Sequence, residues 1–232
     1  RRLLSRILCI SFCLSAIHVT RAEKPWAEIL GSFKGQVPAP QDGPIEWRTD
    51  FQAALQEAKT EDRPLFVTWR CLPCKQCSAF DKDVLEGGTQ LTPLLQQFIT
   101  VRMTDAAQLD FRYFPARDYQ DLDLSWWGYL MDPDGRILSI YGGKDHVSDA
   151  TRISEASLIK TLQRVLFHYY DERRTSWDID GPLPDMSEIP TTRDLPGYSM
   201  LVRDKPHLSE QTCIHCHQGN DILRYPAVKS ET

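Results

Sequence analysis

Hydrophobic and polar positions repeat with two periods between Ile45 and Asp171, and those periods predict a run of short elements. Phe51, Ala54, Leu55 and Ala58 recur at helical spacing behind Asp50, whose carboxylate can cap a helix, so a helix is expected through Lys59. Pro64 to Trp69 is a short apolar run and reads as a strand. Cys74 to Leu85 reads as a helix, Leu91 to Gln97 as a second helix or helical turn, and Phe98 to Met103 as a strand. Trp126–Met131 and Arg136–Tyr141 form an expected hairpin around Asp132-Pro133-Asp134-Gly135, a run of turn-forming residues. Ser154 to Tyr170 is amphipathic, with Leu158, Leu162, Val165 and Leu166 on one side. Helix, strand, helix, three strands and a helix predict an α/β domain, a mixed central sheet flanked by helices, over residues 45–171.

The flanks carry other signals. Arg1, Arg2 and Arg6 precede an apolar stretch from Ile7 to Val19, and Thr20-Arg21-Ala22 has the small-x-small form of a cleavage site. Residues 1–22 thus read as a secretory signal peptide cleaved after Ala22, which directs an exported protein to the periplasm or the outside. The apolar run is shorter than the ~20 residues of a spanning helix, so no membrane span is expected after cleavage. An uncleaved anchor is the alternative. Residues 23–44, with Pro25, Pro38, Pro40 and Pro44, read as an extended lead-in. Pro182, Pro184, Pro190 and Pro196 mark 172–199 as a linker, and 200–232 as an irregular or short-helical tail.

Composition narrows the function classes. Of 232 residues 41% are hydrophobic and 25% charged, an ordinary globular balance. A net charge of -5 argues against a nucleic-acid binder held by phosphate contacts. The seven cysteines stand at 9, 13, 71, 74, 77, 213 and 216. Cys9 and Cys13 leave with the signal, and the other five would work in a potentially oxidising compartment.

Cys71-Leu72-Pro73-Cys74-Lys75 follows directly on an apolar strand and opens a helix. There the unpaired amides of a helix start, and the cation of Arg70, favour the Cys71 thiolate. Cys74, one turn inside, can attack a mixed disulfide formed at Cys71. A structural disulfide is the plainer reading. The string Trp69-Arg70-Cys71-Leu72-Pro73-Cys74-Lys75 resembles the redox motif of the thioredoxin-like superfamily. That resemblance implies a thioredoxin-like fold and dithiol–disulfide activity, with Cys71 as nucleophile and Cys74 as resolving thiol. Three departures stand out. Arg70 occupies the usual Trp position, Leu65 the place of a buried acid, and no proline lies near Trp126, where the family carries a cis-proline. Cys77 adds a third thiol at helical spacing. It could pair with Cys74, protect it, or complete a zinc or copper site; the fourth cysteine of an iron–sulfur run is replaced by Asp81.

The tail holds the second motif. Cys213-Ile214-His215-Cys216-His217 fits Cys-x-x-Cys-His, the attachment sequence of c-type haem. It resembles the haem-binding segment of cytochromes c, which implies thioether links at Cys213 and Cys216 and His217 on the iron. Met200 and His207 are the nearest candidates for a distal ligand, with Met186 further away. The competing readings are zinc held by Cys213, Cys216, His215 or His217, a plain Cys213–Cys216 disulfide, or a reducible partner of the thioredoxin-like site.

Phe111-Arg112-Tyr113-Phe114 and Trp126-Trp127 read as core and hairpin packing rather than a docking surface. The acidic run 118–123 reads as a solvated loop, and His146 and His168 as surface or helix-packing residues. The whole is read as an exported thiol–disulfide oxidoreductase with a haem c tail serving electron transfer. Its partners would be protein or small-molecule thiols and disulfides, and an electron-transfer partner. The alternative is a non-catalytic metal-binding or electron-carrier protein.

Overall fold

Apolar except for Thr68, the run after Pro64 becomes the central strand of the sheet. In a computed structural model of the chain, residues 33–69, 75–86, 90–115, 126–143, 154–187, 190–210 and 214–230 are described. The chain divides into two units. Of the first, Arg1–Phe33, all but Phe33 lies outside the described residues, and so does the signal-peptide reading; the second, Lys34–Thr232, is described here on its own.

Strand β1 (Leu65–Trp69) is buried throughout and lies between β2 (Ile99–Met103) and β3 (Trp126–Met131), with β4 (Ile137–Gly143) outermost, giving the order β2-β1-β3-β4. Burial on both faces is why β1 shows no polar alternation; its one polar residue, the buried Thr68, donates its hydroxyl to the Val101 carbonyl. It pairs parallel to β2 with Trp69 opposite Met103, and antiparallel to β3 with Trp69 opposite Trp127. The expected hairpin joins β3 to β4: the Asp132 carboxylate accepts from the backbone N–H of Asp134 and Arg136, and Gly135 takes φ +84°.

Helix α1 (Phe51–Glu61) is capped by Asp50, which accepts from the Ala53 N–H at 3.0 Å. It covers one face of the sheet, where Phe51, Leu55, Val67, Trp69, Val101 and Tyr129 form one core. On the other face α2 (Lys75–Phe80) runs on into a π-helical turn, Asp81–Leu85, and packs with α3 (Leu91–Leu95) and α4 (Glu155–Tyr170) around Phe66, Phe98 and Leu130. Ser154 caps α4 in a reciprocal box with Ser157. These elements match the predicted ones to within a few residues.

Two features were outside the sequence expectation. Arg48 bridges to Val101, its N–H bonding Thr100 and its carbonyl accepting from Arg102, so the segment just before α1 covers the outer edge of β2. The Pro-rich stretch and the tail also fold onto the α1 face. After the short helix α5 (Arg174–Trp177), helices α6 (Pro196–Asp204) and α7 (Cys216–Ser230) bring Leu195, Leu201, Ile214 and Ile222 into the same core as Phe51 and Trp69. The described part of the tail is largely helical, with Leu201, Ile214 and Ile222 buried. No helix among the described residues is long and apolar enough to cross a membrane.

Candidate functional site

The first motif sits at a strand-to-helix junction. β1 ends at Trp69 and α2 begins at Lys75. Arg70, Cys71, Leu72, Pro73 and Cys74 lie between them, outside the described residues, as do the side chains of Lys75 and Cys77. Trp69 is 3% exposed, and its buried indole Nε1 has no hydrogen-bond partner among the described residues. Trp127 faces it across the strands and is paired in turn with Gly142. Gly142 has φ +135°, and a Cβ there would stand 2.1 Å from the Trp126 carbonyl oxygen, so only glycine closes this end of the hairpin. The Trp126 ring packs tilted against Phe80 of α2, with centroids 4.1 Å apart. Among the described residues no peptide bond is cis, and residue 125, before Trp126, lies outside them.

A buried carboxylate lies behind the junction, on an unexpected element. Leu65, where a family acid would stand, is fully buried and apolar. Asp81, 3% exposed, opens the π turn that continues α2, one turn beyond Cys77. Its Oδ2 is 3.4 Å from the guanidinium Nε of Arg102 on β2. Arg102 lies opposite Thr68, carries the Trp47 ring 4.2 Å from its guanidinium carbon, and donates to Glu86 at 2.9 Å. Sequence reasoning saw Asp81 only as a missing cysteine. The available signal was a single acid between Phe80 and Val84-Leu85, in an otherwise apolar stretch.

The tail motif is seated on the loop that leaves β2. The Asp105 carboxylate accepts from the Ile214 N–H at 2.8 Å and from the Ala107 N–H at 2.8 Å. The Ala106 N–H donates to the Ile214 carbonyl at 2.9 Å, and the buried Thr192 hydroxyl donates to the Ala106 carbonyl at 2.6 Å. Ile214 is 4% exposed and Ile222, on α7, packs beside it in the core. Cys213 lies outside the described residues; Cys216 is the first residue of α7.

His217 is exposed and its ring stacks on His215, with centroids 6.0 Å apart. The buried Nδ1 of His215 has no hydrogen-bond partner among the described residues. Met200 is half-buried on α6, which packs against α7, and His207 is exposed in the 3-10 turn Pro206–Glu210 between them. Met186 is exposed at another place, two residues after Pro184, which lies against Gly135 in the β3–β4 turn.

The donor set fits a c-type haem. Two cysteines flank the start of a 15-residue helix, and an exposed imidazole follows directly, with Met200 and His207 on neighbouring elements. His215 adds a buried nitrogen that a zinc or copper ion could use instead.

His168 proves to be a packing residue. Its Nε2 is 2.8 Å from Asp180, and its ring stacks on Trp177. Phe111 and Phe114 are buried core residues, as expected. His146 and the acidic run 118–123 lie outside the described residues.

Residues 46–120 match a family model described as thioredoxin-like. The search of curated proteins gives no match to this chain. The matched segment contains the first cysteine cluster. Together with the mixed four-stranded sheet and its flanking helices, it gives an α/β thioredoxin-like fold. It also supports a thiol–disulfide oxidoreductase type of function in general terms.

Proposed function

We propose that this chain is an exported thiol–disulfide oxidoreductase working at Cys71 and Cys74, with a haem c tail that transfers electrons. The supporting observation is the placement of the motif: it joins the end of the central strand at Trp69 to the start of α2 at Lys75, in a thioredoxin-like fold. Arg70 beside Cys71 and the helix start that follows favour its thiolate. That thiolate attacks a disulfide of a protein or small-molecule substrate. A mixed disulfide forms, and one substrate thiolate leaves. Cys74 then attacks the Cys71 sulfur, the second substrate thiolate leaves, and a Cys71–Cys74 disulfide remains. Pro73 and Lys75 shape the motif, and Cys77 is a reserve thiol on the same helix.

The tail's own residues would hold the haem. Cys213 and Cys216 would anchor it through thioethers, and His217, with Met200 or His207, would hold the iron. When bound, the haem supplies one-electron chemistry. The exposure of His217 supports this assignment. A second reading is a tail that holds zinc or copper through Cys213, Cys216, His217 and His215, favoured by the buried Nδ1 of His215, which has no partner among the described residues.

The tests are direct. Cys71→Ser abolishes reduction of a model protein disulfide, whereas Cys74→Ser accumulates the mixed disulfide; unchanged turnover in Cys71→Ser moves the chemistry elsewhere. Protein from a host able to mature cytochromes c keeps a Soret band after denaturation, and colourless protein ends the haem assignment. An extracytoplasmic protein starting at Glu23 supports export and cleavage, and a cytoplasmic one refutes them.

A further inference from the structure

We draw no further inference here: the strongest candidate, the surface strip of exposed apolar side chains Trp177, Ile179, Leu183 and Met186 on the Pro-rich segment that passes beside β4 at Ile137, carries nothing because nothing in the structure shows what covers it.

Discussion

Removing the Asp105 carboxylate should release the tail without unfolding the sheet. Asp105 accepts two backbone N–H bonds, from Ile214 and Ala107, each at 2.8 Å. A hydrogen bond to a charged group contributes roughly 1.5–3 kcal/mol net. Asp105 is only half-buried, so water can take over part of this role, and about 2–3 kcal/mol in total is expected for Asp105→Ala. Most of that loss falls on the opening of the tail, since α1 and the strands keep their own contacts. Amide hydrogen exchange followed by NMR reads it. At about 1.4 kcal/mol per tenfold, protection of the Ile214 amide should fall by about 30- to 150-fold, while amides of β1 change by much less. Asp105→Asn keeps an acceptor and should recover most of the protection. Unchanged exchange at Ile214 in the alanine variant, or equal loss in β1, would refute the reasoning.

The remaining predictions concern the frame of the site. Leu201→Ala and Ile222→Ala, each at a buried core position, should each cost about 2–4 kcal/mol in urea unfolding through a single transition; a neutral outcome means the tail is not part of the core. Gly142→Ala meets both a positive φ and the Trp126 carbonyl, and should lower stability by more than about 2 kcal/mol, read as a drop in the urea midpoint. Hydrogen bonds from the Arg173 guanidinium, with further bonds from the backbone N–H groups of Arg173 and Lys34, hold the Asp171 carboxyl well below the usual carboxylate range. The unfolded chain therefore binds the proton first. The stability from this group is present above about pH 3.9 and is lost as pH falls through the depressed folded value, so Asp171→Asn should flatten the acid limb of a urea-midpoint series.

The sheet and the helices that flank it were legible because each carries its own local signal. Asp50 and Ser154 cap helices with their side chains, Asp132 to Gly135 encode a turn, and Leu65 to Trp69 is apolar but for Thr68 because both its faces are buried. The seat of the tail carried no such signal. Ile214 and Asp105 are 109 residues apart, and nothing local to either marks the other as its partner. Prolines 182, 184, 190 and 196 suggested a linker, yet a proline ends regular hydrogen bonding without preventing Thr192 or Leu195 from being buried. The same holds for the chemistry. Both cysteine motifs are readable as strings, but their attachment to one end of the sheet follows from the parallel pairing of β1 with β2, which only the fold provides. Asp81 went unread because its burial depends on Arg102, brought across from β2.

The central claim, two-electron dithiol chemistry at Cys71 and Cys74, is tested most directly by alkylating the exported protein across a series of glutathione redox buffers and mapping each cysteine by mass. The account predicts that Cys71 and Cys74 lose reactivity together, along one two-electron curve, without bound zinc or copper. Cysteines 71 and 74 that stay alkylatable across the whole series, or that are masked by a stoichiometric metal, would contradict it.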